Sequence, residues 1–513
     1  MSTHNMIVVL VAFAIYMLIM ICIGAYYSKR TTNNADYFLG GRGLGGWVAA
    51  LSAQASDMSG WLLMGLPGAI YICGTGEIWI AVGLFIGTAL NWIFIASRLR
   101  RYTITANDSL TLPQYFKNRF HDSSNKLLAI SSVIIVIFFM VYTAASLAAG
   151  GKLFYTIFGV NYTTALTIGM AVILLYTVMG GFRAVCVTDF IQGTLMLIAL
   201  MAVPLLAWGL ISGNLGNLLN QSGVDAKVFA NPFMNNGEPI TAVSVLSQLA
   251  WGLGYCGMPH ILIRFMAIRD EKELKSAKKI GIIWCALSLA FACFIGVLGR
   301  AYLMPEILGS TGAASAENVF IEMILKLFTK DYYIPFLAGI FLCGILAAIM
   351  STADSQLLVT ASAVSEDFYN GVMRGGKGNE KKVLRISKIS VIVIALLAYL
   401  IALDPDSSVM GLVSDAWAGF GAAFGPVVLL SLYWKRSNLP GAAAGMAAGA
   451  ATVILWDYIP FAAGQTLGAV TGVYSLLIGF PIGLIAMIIV SLCTKAPNET
   501  MITEYEQAVG KQQ

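Results

Sequence analysis

The clearest chemical signal in the sequence is a polar cluster inside a long apolar stretch, SAQASDMSGWLLMGLPG, at residues 52–68. Asp57 lies there next to Ser59 and Gly60. A carboxylate at the centre of a membrane helix costs about 2.5–3.5 kcal/mol, and a bound cation would offset that cost. Carbonyls freed at a helix break are oxygen ligands for an alkali ion. An Asp that is hydrogen-bonded in helix packing is the alternative interpretation.

A second apolar stretch is interrupted in a similar way by WGLGYCGMPH, from Trp251 to His260. Its three glycines and Pro259 weaken a helix, and the spacing of four predicts that Trp251 and Tyr255 share a face. Plain core packing of the two aromatic side chains is the alternative, and His260 is interpreted as a packing group.

Hydroxyl side chains mark a third stretch, LAAIMSTADSQL. Ser351 and Thr352 offer hydroxyl oxygens, and Ala348 offers a backbone carbonyl one turn earlier. Hydroxyls in membrane helices often bond back to a carbonyl of their own helix, which is the competing explanation. The case for a cation site grows stronger if this helix faces Asp57.

The segment GGFRAVCVTDFIQG places Arg183 and Asp189 near the end of another apolar stretch. We expect a structural or gating ion-pair role for these residues rather than contact with a substrate. No arginine is expected in the spans that form a pocket. A substrate carboxylate would therefore be met by N–H groups exposed at the helix breaks.

The composition indicates whether the surface of the protein faces water or lipid. Of its 513 residues, 58% are hydrophobic and only 11% are charged, whereas soluble domains carry about 25% charged residues. So few charges cannot cover a water-soluble surface, which excludes soluble enzymes and nucleic-acid binders. The chain is therefore predicted to be an all-α polytopic membrane protein.

Segments of about 20 apolar residues predict about thirteen transmembrane helices. The predicted spans are 6–27, 47–72, 78–96, 127–149, 163–180, 190–210, 242–266, 280–298, 334–363, 389–403, 410–433, 441–459 and 473–493. If the N-terminus lies outside and the C-terminus is cytoplasmic, 26 of the 31 Lys and Arg residues fall on the cytoplasmic side. That bias supports both the count and the orientation.

The two interrupted spans are the second and the seventh, five apart. Five is an odd number, so two five-helix repeats of opposite topology would place both breaks at equivalent positions. The predicted divisions are residues 1–45 (an extra helix and a cytoplasmic loop), 46–212 (first repeat, helices 2–6), 213–436 (second repeat, helices 7–11) and 437–513 (two helices and a cytoplasmic tail).

The sequence lacks the residues that several other activities require. Three histidines and eight cysteines without a CxxC pair predict no transition-metal site. No GxxxxGK[ST] loop is present, so ATP is not expected as a partner. No nucleophile and base pair can be assembled, which argues against an enzyme. A channel is disfavoured because broken helices and an internal repeat are typical of transporters.

The interrupted segments, together with GLVSDAWAGFGAAFGPVVL, resemble the sodium/solute symporter family, and within it the bacterial sodium/proline symporters most. The resemblance covers roughly residues 14–497. It implies a leucine-transporter-type five-helix inverted-repeat core with broken helices. It also implies a multi-pass location in the bacterial cell membrane, with Na⁺ as the coupling ion and no organic cofactor.

Carried over residue by residue, the resemblance implies four groups of site residues. The sodium ligands would be Ala55, Met58, Ala348, Ser351 and Thr352. The coupling residues would be Asp57, Ser59 and Gly60. The aromatic substrate pocket would be Trp61, Tyr142, Trp251 and Tyr255. Arg42, Arg183, Asp189 and Pro259 are expected to have gating or structural roles.

The implied function is secondary active transport that couples inward Na⁺ movement to uptake of L-proline by alternating access. The alternative is sodium-coupled symport of another small solute, such as a different amino acid, a carboxylate or a vitamin. The partners would be proline, Na⁺ and the lipid bilayer.

Overall fold

A computed structural model of the chain describes residues 2–28, 34–211, 213–303, 313–462 and 464–510. Within these residues the longer helices are α1 (Thr3–Ser28), α3 (Gly46–Asp57), α5 (Ile78–Leu90), α6 (Ala96–Thr105), α8 (Lys126–Phe158), α9 (Tyr162–Gly180), α10 (Phe182–Ile211), α15 (Glu271–Leu303), α18 (Pro335–Ser362), α19 (Glu380–Ile401), α20 (Val409–Tyr433), α21 (Leu439–Tyr458), α23 (Ser475–Cys493) and α24 (Glu499–Val509).

The shorter helices are α2 (Asn34–Leu39), α4 (Leu66–Cys73), α7 (Leu112–Arg119), α11 (Leu215–Gln221), α12 (Ala226–Phe229), α13 (Ala242–Leu249), α14 (Pro259–Ala267), α16 (Ala313–Ala316), α17 (Val319–Lys326) and α22 (Leu467–Thr471). Two small antiparallel hairpins accompany them, β1 (Met234–Asn235) with β2 (Glu238–Pro239), and β3 (Pro460–Ala462) with β4 (Gln465–Thr466).

Ten helices of the described chain are long and apolar enough to cross a membrane. They include α21, whose run of small residues is explained by close packing along α23. Three further predicted spans coincide with α9 and with two helices that are broken in the middle. The chain is an all-α polytopic membrane protein, and the total of thirteen spans stays a prediction.

The second predicted span is broken next to its carboxylate. α3 ends at Asp57 because Met58 leaves the helical region, with φ −81° and ψ 75°. A π-helical turn, Trp61–Gly65, then leads into α4. The break predicted from the polar cluster is therefore confirmed, and it frees backbone groups in the interior of the protein.

The seventh predicted span is also broken, but its geometry differs from the prediction. Between α13 and α14 the chain forms a 3₁₀-helix, Ala250–Gly257, followed by Met258 in extended conformation. A 3₁₀-helix has three residues per turn, so residues four apart point about 120° away from each other. The α-helical geometry assumed for Trp251 and Tyr255 is therefore wrong, although the rings of both residues lie against Trp417, at 6.5 and 5.0 Å.

Close backbone contact holds the 3₁₀-helix in place. It packs between α5 and α20, and on the α5 side Gly87 lies against the backbone of Gly252. A Cβ at Gly87 would come within 2.7 Å of the Gly252 carbonyl carbon. Only glycine permits that approach, so α5 fixes the position of the residues that follow Gly252.

We expect Gly87→Ala to destabilise the protein by roughly 1–3 kcal/mol, because the new methyl group must push α5 away from the 3₁₀-helix. Thermal unfolding in detergent measures the change. Gly209→Ala near the end of α10 is the matched control, since nothing lies within 4 Å of its added Cβ; it should be neutral or slightly stabilising. Equal stability of the two variants would contradict the close-contact explanation.

Candidate functional site

Hydroxyl and carbonyl groups meet where α18 crosses the broken end of α3. The Ser351 hydroxyl donates to the Ala55 carbonyl at 2.7 Å and lies 3.2 Å from the Ala348 carbonyl. The Thr352 hydroxyl lies 3.4 Å from the same Ala55 carbonyl. All four residues are buried. The structure thus brings together four of the five residues expected to bind sodium.

Met58, the fifth expected ligand, follows directly after α3. Its N–H still bonds the Gln54 carbonyl at 2.8 Å, but its ψ of 75° turns its own carbonyl away from the helical direction. The competing explanation for Ser351, a bond within its own helix, applies only to the longer of its two contacts. This set of hard oxygen atoms is of the kind that binds a small cation.

The Asp57 carboxylate is buried and only half satisfied. Its Oδ2 accepts a hydrogen bond from the Tyr255 hydroxyl at 2.7 Å. Its Oδ1 is buried without a hydrogen-bond partner among the described residues. Gly60 lets α8 approach the break, because a Cβ there would lie 2.7 Å from the Ala149 Cβ. Ser59 lies within the break, its hydroxyl 3.4 Å from the Trp61 amide nitrogen.

Three of the four expected pocket aromatics converge on Asp57. The Trp61 indole N–H donates to the Asp57 carbonyl at 2.9 Å, and the Tyr142 hydroxyl reaches the same oxygen at 3.4 Å. Tyr255 holds the carboxylate itself. All three side chains are buried. Aromatic faces and a partly free carboxylate together suit a small molecule with an apolar ring and a positive charge.

Trp251, the fourth aromatic residue, lies apart from this group. Its ring stacks on Tyr474 at 5.1 Å, and its carbonyl accepts from the Trp417 indole N–H at 2.7 Å. Trp251 lines a cavity of about 470 Å³ that Glu317 also borders. The contacts of Trp251 with Tyr474 and Trp417 are therefore in keeping with the alternative interpretation, plain core packing.

Trp417 links the two aromatic residues of the 3₁₀-helix, because the Tyr255 ring also packs edge-on against it at 5.0 Å. Trp417 and Tyr474 are site residues that were not predicted from the sequence. Trp417 stands within the block GLVSDAWAGFG, two residues after an acid and two before a glycine, which was a usable signal. Tyr474 carried no comparable signal.

A buried ion pair lies beside the break. Arg264 of α14 contacts Asp189 at 3.2 Å, and it also donates to Ser52 at 3.1 Å and Ser355 at 2.5 Å. Ser52 in turn donates to Asp189 at 2.7 Å. The expectation that the pocket spans contain no arginine is wrong, because Arg264 lies within the seventh predicted span, 242–266, beside the break of α3.

The expected ion-pair role of Asp189 needs a different partner from Arg183. Arg183 is exposed at the start of α10, and the ion pair of Asp189 is made with Arg264. Pro259 is the first residue of α14, where its missing N–H costs nothing. His260 is buried between the rings of Phe139 and Tyr142, at 5.5 and 6.1 Å, in keeping with a packing role.

Arg42 joins three segments at the predicted cytoplasmic ends of the helices. It donates to Asp108 at 2.7 Å, to the Ser109 carbonyl at 2.9 Å and to the Met266 carbonyl at 2.7 Å. Burial lowers the pKa of the Arg42 guanidinium from its usual value, and the Asp108 carboxylate opposes that shift. Leu44 adds a backbone contact in the same region, since its N–H bonds the Ala267 carbonyl at 3.2 Å.

We expect Asp189→Leu to lower the free energy of unfolding by about 3–5 kcal/mol, because it leaves the Arg264 guanidinium buried without its counter-charge. Adding Arg264→Met should recover much of that loss, since an apolar pair of similar volume needs no compensation. Thermal unfolding in detergent compares the two variants. A double variant less stable than Asp189→Leu alone would show that the remaining bonds of Arg264 dominate.

Comparison with known proteins relates this geometry to a family. A sequence model described as the sodium:solute symporter family matches residues 37–449. The osmoregulated proline transporter OpuE of Bacillus subtilis is 46% identical over 490 residues, covering 95% of each chain. The sodium/proline symporter of Escherichia coli is 44% identical over 502 residues, covering 97% of this chain and 96% of that protein.

Solved structures agree at the level of the fold. A Na⁺-coupled sialic acid symporter in a substrate-bound, outward-open state superposes with a TM-score of 0.74 at 19% identity, covering 96% of this chain and 99% of that one. A nucleobase-cation-symport-1 family transporter in a closed conformation gives a TM-score of 0.52 at 14% identity, covering 93% and 100%. The fold is therefore of the leucine-transporter type. With the family match spanning most of its length, the chain belongs to the sodium:solute symporter family.

Proposed function

We propose that the protein couples inward movement of Na⁺ to uptake of L-proline by alternating access. The observation that carries this proposal is the arrangement around the break of α3. Ala55, three residues before Met58, meets the hydroxyls of α18, while Asp57 meets the hydroxyl of Tyr255. An ion region and an aromatic region thus lie two residues apart. Relatives named as proline transporters support the choice of substrate.

Proline suits the aromatic region for a chemical reason. Its pyrrolidine ring packs against aromatic faces, and its secondary ammonium gains a cation–π contribution. The buried Oδ1 of Asp57 has no hydrogen-bond partner among the described residues, so it could accept a hydrogen bond from the substrate ammonium. We assign the substrate carboxylate to N–H groups at the two helix breaks, where half-helix dipoles favour an anion.

Sodium is assigned to Ala55, Met58, Ala348, Ser351 and Thr352, with Asp57, Ser59 and Gly60 coupling the two regions. Carbonyl and hydroxyl oxygens are hard, uncharged ligands, which suits a monovalent ion that must bind and leave in each cycle. The charge of Asp57 nearby would stabilise the ion without fixing it permanently.

Alternating access gives the cytoplasmic contacts a role. The Arg42 bonds, the Leu44 bridge and the Asp189–Arg264 pair would form a closed inner gate. We place the N-terminus outside and the C-terminus in the cytoplasm of a bacterial cell. We divide the chain into an extra helix (1–45), two inverted repeats (46–212 and 213–436) and a C-terminal pair of helices (437–513).

The driving force is sufficient for concentrative uptake. One inward Na⁺ gains about 2.3 kcal/mol per 100 mV, and a tenfold sodium gradient adds about 1.4 kcal/mol. Together these terms support roughly 500-fold accumulation of a net-neutral zwitterion. ATP and an organic cofactor are not required by this scheme.

We expect purified protein in proteoliposomes to accumulate labelled proline when an inward Na⁺ gradient is imposed, and not when only a proton gradient is imposed. Unlabelled proline should compete, whereas other amino acids, carboxylates and vitamins in equal excess should not. Uptake that ignores excess proline but responds to another solute would identify a sodium-coupled carrier of that solute. If an inward Na⁺ gradient drives uptake of none of these solutes, the proposal is wrong.

The sodium assignment makes its own prediction. Ser351→Ala and Thr352→Ala should raise the Na⁺ concentration for half-maximal uptake at least tenfold, with a smaller effect on the maximal rate, because each removes one ligand oxygen. Ser362→Ala on the same helix is the control, since its hydroxyl bonds the Val359 carbonyl at 2.8 Å within α18. Unchanged sodium dependence in both Ser351 and Thr352 variants would place the ion elsewhere.

A further inference from the structure

A buried carboxylate lies on the cytoplasmic extension of the sodium-site helix. α18 continues as a π-helix, Ala363–Met373, and Asp367 in that segment is fully buried. Its Oδ1 accepts a hydrogen bond from the Thr111 hydroxyl at 2.6 Å. A bond from a hydroxyl to a carboxylate of this length is strong. Asp367 is sixteen residues beyond Ser351, roughly 20 Å along the helix, so it touches neither the ion nor the substrate.

Thr111 anchors a different element. It is the N-cap of α7. Its hydroxyl oxygen accepts a hydrogen bond from the backbone N–H of Gln114 at 3.1 Å, while its hydroxyl proton is donated to Asp367. One hydroxyl therefore joins the start of α7 to the end of the α18 extension. Both partners are buried, so water cannot easily replace either bond.

The segment before Thr111 is the one that holds Arg42. Asp108 and the Ser109 carbonyl both accept from the Arg42 guanidinium, which also donates to the Met266 carbonyl at the end of α14. The Asp367–Thr111 bond, the backbone of residues 108–111 and the Arg42 bonds thus connect the extension of α18 to α14. Contacts between rigid elements of this kind can carry coupling when the elements have two arrangements.

We propose that Asp367 and Thr111 are positioning residues that transmit the sodium-bound position of α18 to the Arg42 gate. Sodium binding would fix the position of α18, and the Asp367–Thr111 bond would in turn fix the segment at residues 108–111. Arg42 would then hold α14 in the position it has when the inner gate is closed. The inference rests on the proposed sodium site and adds to it a route from the ion to the inner gate.

Hydrogen–deuterium exchange of the full-length protein in detergent tests this route without using transport. The Leu44 amide bonds the Ala267 carbonyl, and the Arg269 amide bonds the Leu44 carbonyl at 3.0 Å, so both report gate opening. In the wild type, saturating Na⁺ should slow exchange in peptides containing these amides, compared with K⁺ at equal ionic strength. We expect a ratio of about 2- to 30-fold, the range of coupling through such networks.

Thr111→Val and Asp367→Leu should reduce that sodium-dependent ratio towards one, because each removes one partner of the Thr111–Asp367 bond. Thr111→Ser keeps the hydroxyl and should retain the wild-type ratio. Asp367→Leu leaves the Thr111 hydroxyl free to cap α7, which separates loss of the link from loss of the cap. Ser365→Ala is the matched control, because its buried hydroxyl bonds the Ala361 carbonyl of its own helix at 2.7 Å. Thermal stabilisation by Na⁺ should persist in all four variants, since none alters the ion site.

The possible results distinguish failure of the route through Asp367 and Thr111 from failure of the proposed sodium site. Wild-type protection by Na⁺ that is retained in Thr111→Val and Asp367→Leu would overturn the route but keep the sodium site. An equal loss in Ser365→Ala would assign the effect to general loosening of the helix and would also overturn it. Absence of any sodium effect in the wild type would remove both the route and the sodium site.

Discussion

The structure depends on a backbone interruption that lipid cannot tolerate. When Met58 leaves the helical conformation, carbonyl and N–H groups lose their helix partners in an environment without water, and each must find another. Tyrosine and tryptophan donors reach the Asp57 carbonyl, and hydroxyls of α18 reach the Ala55 carbonyl. The groups that satisfy the broken helix are thus the same groups that would bind ion and substrate.

A second consequence is that the two broken helices must be held together. Ser52 and Ser56 are one turn apart on α3, and His260 and Arg264 are one turn apart on α14. Arg264 donates to Ser52 and to the His260 carbonyl, and Asp189 supplies the counter-charge. A buried charge is tolerable only with such partners. If these contacts form the proposed inner gate, the cost of separating this cluster would make its closed form a discrete state.

Prediction from the sequence succeeded where a polar residue stood in an apolar stretch and could be explained by only one kind of local structure. Asp57 within an apolar stretch predicted the break, and Ser351 with Thr352 predicted the facing hydroxyls. It failed where geometry was not determined by local spacing. Trp251 and Tyr255 suggested an α-helical face, but glycine contacts with α5 favour a 3₁₀-helix. The buried Arg264 was not expected, because its counter-charge Asp189 lies 75 residues away in the chain.

Under the proposed function, coupling would follow because Ala55 and Asp57 lie in the last turn of α3, directly before the break at Met58. An ion that draws the Ala55 carbonyl and the α18 hydroxyls together also fixes the position of Asp57, and with it Tyr255. A substrate that fixes Tyr255 and Trp61 restricts the same backbone from the other side. Each proposed ligand would thus remove conformational freedom that the other would have to restrict on binding. The two would stabilise each other, and linkage requires the effect to be equal in both directions. An unbroken α3 could not do this, because its carbonyls would be committed to its own helix and would be insensitive to either ligand.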